Sequence, residues 1–297
     1  MKHHLLFLVR SPAVAIPVLF LFVFICGNAS GQDTVAIVKH HTVSSHVQVM
    51  DTAFFMPQLD RTRRIWIYLP EGYAHLTKRY PVLYMHNGQS IFDEQPTGFD
   101  EWGVDESLDS LIIKGQPACI VVGIDDGLDM FTEYNPYNNE NFGNGEGDKY
   151  MDFLVHTLKP FIDGHYKSLP SKENTLIAGS GMGGLISYYA MLKYPDVFAK
   201  AGIFSPAFAP APAIKQLTDS LAKKMTGKFF FYIGDQEGRT YPVDINELTD
   251  KLATNSNSMI YSVVDPEAGD NERAWRKWFV EFYCWMMADG FNPIHPR

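Results

Sequence analysis

Residues 175–189, TLIAGSGMGGLISYY, change character twice within a short distance. The run from Thr175 to Ala178 is apolar and predicts a short buried strand. Residues 178–184 are then mostly small, with glycine at four of the seven positions. From Leu185 onward, apolar residues recur at helical spacing until Pro195 ends the pattern. The stretch therefore predicts a strand, a tight glycine turn and a helix that follow one another directly.

The turn fits the pattern G-x-S-x-G at every position except the central one. In that pattern the outer glycines let strand and helix approach closely, and the central serine occupies a strained turn that faces the active site. Here Gly179 and Gly183 occupy the outer positions, and Gly181 occupies the centre. The chain therefore has the frame of a nucleophile elbow without its nucleophile.

The N-terminus predicts a signal peptide over residues 1–31. A basic start precedes the apolar run from Val14 to Ile25, which is shorter than the roughly 20 residues that a transmembrane helix needs. Small residues follow, with cleavage expected before Gln32. We therefore expect an exported protein, periplasmic or extracellular, with a leader at 32–45 and one domain at 46–297. An uncleaved membrane anchor is the alternative.

The charge of the chain argues against nucleic acids and anionic membrane surfaces as partners. The net charge of −9 becomes about −11 when Lys2 and Arg10 leave with the signal peptide, and no basic stripe is present. Contact with a membrane is expected only if the N-terminal segment stays uncleaved. The spacing of cysteine and histidine residues matches no zinc site, so we expect neither a metal nor a cofactor.

From Pro81 onward, short apolar strands alternate with helical segments, and two alternating strands precede them. This order predicts an α/β domain with a doubly wound, mostly parallel sheet and an antiparallel N-terminal edge. Residues 128–148 are polar and aromatic with little periodicity, which is typical of a functional loop or a lid, or of a surface decoration. The predicted strands are 46–55, 61–69, 81–85, 118–124, 175–178, 201–204, 228–233 and 259–264, and the predicted helices are 102–113, 150–162, 185–192, 213–224, 244–254 and 273–287.

Four stretches resemble motifs of an esterase family of the α/β-hydrolase fold, which includes esterase D, enterochelin esterases, and feruloyl and acetylxylan esterases. Residues 63–73, RRIWIYLPEGY, resemble RRVWVYLPPGY, and residues 84–93, YMHNGQSIFD, resemble YMHDGQNLFD. Residues 176–185, LIAGSGMGGL, are similar to LIAGSSMGGL. Residues 271–276, NERAWR, resemble HNEAAWR without its first residue. The resemblance runs from about residue 61 to residue 287 and implies the α/β-hydrolase fold.

Ester hydrolysis on this fold uses a serine, an acid and a histidine in that chain order, together with backbone donors for the oxyanion. The resemblance puts the serine at Gly181 and the histidine at Asp270. Glycine has no side chain that can attack an ester. A carboxylate, with an ordinary pKa near 3.9, is a poor base for a serine proton. The resemblance therefore implies that both the nucleophile and the base are missing.

The acid and the oxyanion donors have counterparts in this chain. The resemblance puts the acid at Glu237, with Asp235 as the second choice, and either carboxylate is alternatively a solvated loop residue. It puts the oxyanion donors at the backbone amides of Gln89 and Met182. These amides can bind a carbonyl or carboxylate oxygen without any turnover.

Ser180 is the remaining hydroxyl in the turn. Neighbours along a strand face opposite sides, so we expect Ser180 to point away from the site that Gly181 faces. The predicted function is that of an esterase-family chain without serine-hydrolase activity, which binds a small acyl-ester or carbohydrate ligand or acts as a scaffold. One alternative is a hydrolase with a non-standard nucleophile or a water activated by Asp270 and Glu237. The other is a structural domain without a ligand.

Overall fold

The computed structural model describes residues 41–94, 100–237 and 241–288, apart from the side chains of residues 237 and 241–244. Within these ranges the strands are β1 Val47–Met56, β2 Arg61–Tyr68, β3 Val82–His86, β4 Ile120–Ile124, β5 Thr175–Ser180, β6 Lys200–Phe204, β7 Lys228–Gly234 and β8 Met259–Asp265. The helices there are α1 Val104–Ile113, α2 Met130–Glu133, α3 Gly147–Phe153, α4 Lys159–His165, α5 Met182–Lys193, α6 Ala213–Leu221, α7 Tyr241–Asn255 and α8 Glu272–Met287.

The strands form one sheet in the order β1-β2-β4-β3-β5-β6-β7-β8. β1 pairs antiparallel with β2, and β2 pairs antiparallel with β4. All further pairs, from β4–β3 to β7–β8, are parallel. The predicted α/β fold, with a mostly parallel sheet and an antiparallel N-terminal edge, is therefore confirmed.

Helices cover both faces of the sheet, because its central strands are apolar on both sides. In β3, Tyr84 packs into one core layer while Leu83 and Met85 pack into the other. The layer that contains Tyr84 is closed by α3 to α7, and the opposite layer is closed by α1 and α8. This arrangement brings the carboxyl ends of the parallel strands to one edge, where α/β proteins place their ligands.

The segment at residues 128–148 is fastened to the sheet by ion pairs, of which the Arg63–Glu133 pair is buried. Glu133 accepts hydrogen bonds from Arg63 at 2.6 and 2.7 Å and from Arg61 at 3.0 Å. Arg61 also donates to Glu146 at 2.8 Å, so both ends of the segment are tied to β2. Between these ends the segment contains α2 and an isolated bridge between Asn139 and Gly143.

Hydrogen bonds also attach the first described residues to the domain. The His41 ring nitrogen Nδ1 lies 2.6 Å from a carboxylate oxygen of Asp93, and the Ser44 amide donates to Asp105 at 2.7 Å. The predicted signal peptide and most of the predicted leader lie outside the described residues. Among the residues that are described, no helix combines the length and hydropathy needed to cross a membrane.

Candidate functional site

Gly181 forms the apex of the turn between β5 and α5. Its φ of 55° and ψ of −120° lie in a region that side-chain-bearing residues rarely adopt. Its amide donates to the Phe204 carbonyl at 3.1 Å, and its carbonyl accepts from the Ala207 amide at 2.9 Å. β6 and the loop after it therefore hold the strained turn in place.

The glycines around Gly181 are required by packing, whereas Gly181 itself has room. A β carbon on Gly179 would lie 2.9 Å from the Gly183 carbonyl carbon, and one on Gly183 would lie 2.9 Å from Asn87 Oδ1. A β carbon on Gly181 would meet nothing within 4 Å. The turn therefore keeps an open position at the place where the resemblance puts the serine.

Gly181 opens onto a cleft of about 540 Å³. The cleft brings together four of the predicted site residues: Gly181 and Asp270, and the two residues predicted to supply oxyanion donors, Gln89 and Met182. Met182 begins α5, so its amide has no carbonyl within the helix to bond. The further lining residues are Asn87, Ser90, Asp126, Met130, Ser180, Glu272 and Trp275.

The structure does not place both predicted acids, Asp235 and Glu237, at the cleft. Asp235 follows β7 in a short 3-10 turn, is exposed, and does not line the cleft. The backbone of Glu237 ends the same turn, but the side chain of Glu237 lies outside what the structure describes. Asp270 is exposed in the segment between β8 and α8.

Ser180 differs from the expectation derived from strand alternation. It lines the same cleft as Gly181 and is 7% exposed. The reason is that the cleft extends from the turn towards α8, over the sheet face to which Ser180 points. No described residue forms a hydrogen bond with its hydroxyl, so among the described side chains no base is positioned to activate it.

Other residues of the loop after β3 have structural roles. Ser90 Oγ donates to the Asn87 carbonyl at 3.0 Å. His86 is buried and shares a hydrogen bond of 2.8 Å between Nδ1 and the Tyr150 hydroxyl. Burial lowers the pKa of His86 to about 3, which makes this histidine unsuited to the role of a general base.

The lining residues that the sequence did not predict include Asp126, Glu272 and Trp275. Asp126 follows β4, and its position at the carboxyl end of a parallel strand was an available signal. Glu272 and Trp275 belong to the NERAWR motif, for which the resemblance implied a role only at the preceding position, Asp270. Burial raises the pKa of Glu272, and the nearby charge of Asp100 raises it further.

No group of three or more metal-ligating side chains comes together within the described ranges. The cleft itself offers carboxylates and amides, and its described lining residues include no histidine or cysteine. Within the described residues, one cleft is therefore lined by a strained glycine turn, by side-chain amides and by carboxylates.

Comparison with curated proteins finds relatives of similar length and a shared domain in a longer enzyme. The chain is 29% identical over 185 residues to the uncharacterized protein YbbA of Bacillus subtilis (strain 168), which covers 60% of this chain and 70% of YbbA. It is 26% identical over 213 residues to an endo-1,4-beta-xylanase/feruloyl esterase of Xylanibacter ruminicola. That match covers 70% of this chain but only 27% of the longer enzyme.

The solved structures agree on the fold. The BES protein from Bacillus cereus superimposes with a TM-score of 0.70 and 16% identity, over 84% of this chain and 98% of that one. The family model described as "Putative esterase" matches residues 57–281, which include the glycine turn, the loop after β3 and the NERAWR motif. On this match, over most of its length, the chain belongs to that esterase family.

Proposed function

We propose that this esterase-family chain binds a small acyl-ester or carbohydrate ligand in the cleft at Gly181 and does not hydrolyse it by serine chemistry. The observation that carries the proposal is the placement of Gly181 and Asp270 on one cleft. These two positions correspond to the nucleophile and the base of the family pattern. Without both groups, an enzyme of this kind retains at best about 10³–10⁴-fold acceleration over water, from oxyanion stabilisation and binding.

The retained shape of the turn supports a binding role. The close contacts of Gly179 and Gly183 hold α5 against the sheet. Met182, the first residue of α5, therefore lies at the cleft. Amides at such a position bind carbonyl and carboxylate oxygens. A ligand can therefore be held in the orientation of an ester substrate although no attack follows.

Hydrolysis of p-nitrophenyl acetate and butyrate tests the proposal. We expect the mature protein to match a Gly181→Ala/Asp270→Ala control, and the variant Gly181→Ser/Asp270→His to exceed both. Turnover by the unchanged protein that is lost in Asp270→Ala or Ser180→Ala would contradict the proposal.

A second candidate is hydrolysis by a carboxylate-activated water. It is favoured by the raised pKa of Glu272, which lines the same cleft as Asp270, because a carboxyl group with a raised pKa can hold a proton and act as a general acid. Turnover that falls in both Asp270→Asn and Glu272→Gln, but not in Ser180→Ala, would support this candidate over the first.

We also propose that the chain is exported after removal of residues 1–31. The basic start, the apolar run and the small residues before Gln32 support this. Intact-mass measurement of the protein recovered after expression of the full chain should find Gln32 as the first residue. A mass that includes Met1 would contradict cleavage.

A further inference from the structure

The residues just before β1 are held on the domain by carboxyl groups. We call residues 41–46 the strap, and two of the bonds come from its backbone. The Thr42 amide donates to Asp93 at 3.4 Å, and the Ser44 amide donates to Asp105 at 2.7 Å. Asp93 and Asp105 are both buried, with exposures of 4% and 0%. The strap therefore depends on acceptors whose charge changes with pH.

Two imidazole rings of the strap are also bonded to carboxylates. His41 Nδ1 lies 2.6 Å from Asp93 Oδ2, and His46 Nδ1 lies 2.9 Å from Asp109 Oδ1. The Tyr68 hydroxyl donates to the same oxygen of Asp109 at 2.7 Å. A bond from a protonated imidazole to a carboxylate is stronger than one from a neutral imidazole, and histidines gain this charge at mildly acidic pH. Protonation of either ring therefore tightens the strap.

Asp105 favours its protonated form beneath the strap. Its Oδ2 accepts from the Ser44 amide, whereas its buried Oδ1 has no hydrogen-bond partner among the described atoms. An ionised carboxylate with an unpaired oxygen away from water is costly, so the geometry favours the neutral acid. Burial accordingly raises the pKa of Asp105, and the charge of Glu106 raises it further, although the bond from Ser44 acts in the opposite direction.

The charged groups that face the strap are mostly acids. Besides the three aspartates they are Glu71, Glu94, Glu101, Glu106 and Arg276. Glu101 lies beside Thr42, is 1% exposed and pairs with Arg276 at 3.2 Å. Burial raises the pKa of Glu101 to about 7, and the charge of Glu106 contributes. Ionisation of Glu101 therefore adds negative charge beside the strap as the pH rises through neutrality.

Proton binding links the attachment of the strap to pH. In water an aspartate ionises above about pH 4. Because the attached strap favours protonated Asp105, the attached state binds more protons than the detached state between about pH 4 and the raised pKa. Attachment therefore weakens as the pH rises through this range. Loss of charge from the two histidines acts in the same direction.

We propose that residues 41–46 form a pH-sensitive strap that is held on Asp93, Asp105 and Asp109 at mildly acidic pH and detaches as the pH becomes alkaline. In the detached state these residues become part of the connection to the preceding chain. None of them is among the described lining residues of the cleft at Gly181. The inference therefore holds whatever the cleft binds.

Hydrogen–deuterium exchange followed by mass spectrometry tests the proposal on the purified protein. Pulses at about pH 5.5 and 8.5, each corrected for the intrinsic exchange rate, report the protection of the strap amides. We expect this protection to fall at least about tenfold between the two pH values. The Tyr80 amide, which donates to the Lys167 carbonyl at 2.8 Å, is the internal control and should keep its protection.

Asp105→Asn separates the contribution of the buried acid from that of the histidines. Asparagine keeps an oxygen that can accept from the Ser44 amide and has no titrating proton. The decrease in protection should then be at most about threefold, which is the part that the two imidazole rings contribute. His41→Gln/His46→Gln should lower the protection at about pH 5.5 and leave it unchanged at about pH 8.5.

His156→Gln is the control for the histidine variant. His156 pairs with Asp152 at 2.7 Å, and both side chains are exposed and lie outside the strap. This change should leave the protection of the strap unaltered at both pH values. Thermal unfolding shows whether each variant keeps its fold. If Asp105→Asn does not fold, the histidine variant and its control carry the test.

Three results would overturn the inference. The first is equal protection of the strap at the two pH values in the unchanged protein. The second is a parallel loss of protection at Tyr80, because the whole domain and not the strap would then respond to pH. The third is a folded Asp105→Asn variant in which protection falls as steeply as in the unchanged protein.

Discussion

Gln89 and Asp126 are joined by reciprocal hydrogen bonds across the top of the sheet. Gln89 Nε2 donates to the Asp126 carboxylate, and the Asp126 amide donates to Gln89 Oε1 at 3.1 Å. Asn87 Nδ2 donates to the second carboxylate oxygen at 3.1 Å. The loop after β3 is thereby tied to the loop after β4, and the backbone of Gln89 is held at the cleft by its own side chain.

Gln89→Ala should therefore cost stability although Gln89 lies in a loop. The change leaves a carboxylate oxygen and an amide without their partners, which costs about 1–3 kcal/mol where the groups are shielded from water. Urea denaturation measures the loss. Gln216→Ala, at an exposed position of α6, is the control and should stay within about 0.5 kcal/mol. Equal effects of the two changes would contradict the structural role of Gln89.

Glu133→Gln should be among the most destabilising conservative changes in this chain. Glu133 is fully buried and accepts from Arg63, which is itself buried, so removal of the carboxylate charge leaves a cation without compensation. Breaking a buried pair in this way costs about 3–5 kcal/mol.

Glu247→Gln is the matched control for Glu133→Gln. Glu247 pairs with Lys215 at 2.9 Å and with Lys251 at 3.2 Å on the exposed surface. Exposed pairs contribute about 0–1 kcal/mol. Free energies of unfolding from urea titrations should separate the two variants clearly. A loss below 1 kcal/mol in Glu133→Gln would show that the segment at 128–148 is not fastened by this pair.

Gly179→Ala and Gly181→Ala should differ although both change a glycine of the same turn. The new methyl group at residue 179 would meet the backbone of Gly183 at 2.9–3.1 Å, so α5 has to move away from the sheet. Overpacking of this kind costs about 1–3 kcal/mol, and we expect a loss near the upper end.

At residue 181 the methyl group meets nothing within 4 Å, and the cost comes from the φ of 55°. A sparsely populated backbone region of this kind costs about 1–3 kcal/mol in a residue with a side chain, and we expect a loss near the lower end because no neighbouring atom has to move. Thermal and urea unfolding of both variants give the comparison. A larger loss in Gly181→Ala than in Gly179→Ala would contradict the packing argument.

We expect the His86 imidazole to stay neutral in the folded protein between about pH 5 and 8. Burial lowers its pKa to about 3, whereas an unfolded chain has a histidine pKa near 6.5. Protons therefore bind preferentially to the unfolded state below about pH 6.5, and this contribution to stability is lost as the pH falls from there towards 3.

NMR of the imidazole resonances tests this, with the His86 signal assigned by its absence in His86→Gln. The signal should not shift through a titration midpoint above about pH 5. The same variant should show a shallower decrease in the free energy of unfolding between about pH 6.5 and 4.5. A midpoint near 6 would contradict the burial of this ring.

The fold followed from local signals in the sequence. The apolar runs at Pro81–Met85 and Ala118–Ile124 predicted buried strands that the structure has at Val82–His86 and Ile120–Ile124. Boundaries moved by one or two residues, since strand ends depend on pairing partners rather than on local composition. The glycine turn was also a local signal, because the close packing of β5 and α5 requires small residues in the short segment that joins them.

The composition of the cleft was predictable only in part. Motif positions indicated Gly181, Asp270, Gln89 and Met182 as a set, and the structure places all four on one cleft. Strand alternation misplaced Ser180, because alternation gives the face of the sheet but not the extent of the cleft above it. The order of the residues along the chain likewise did not predict that Asp235 lies away from the cleft.

The sequence by itself determined the order of strands and helices, the strained turn at Gly181 and the absence of a serine at its apex, because each depends on residues adjacent in the chain. Only the tertiary structure decided which distant side chains share a space. Arg63 and Glu133 are 70 positions apart and form a buried pair, while Asp126 after β4 and Glu272 at the start of α8 line one cleft. The physical reason is that burial and electrostatic potential are set by neighbours in space, and parallel strands bring remote parts of a chain to one edge.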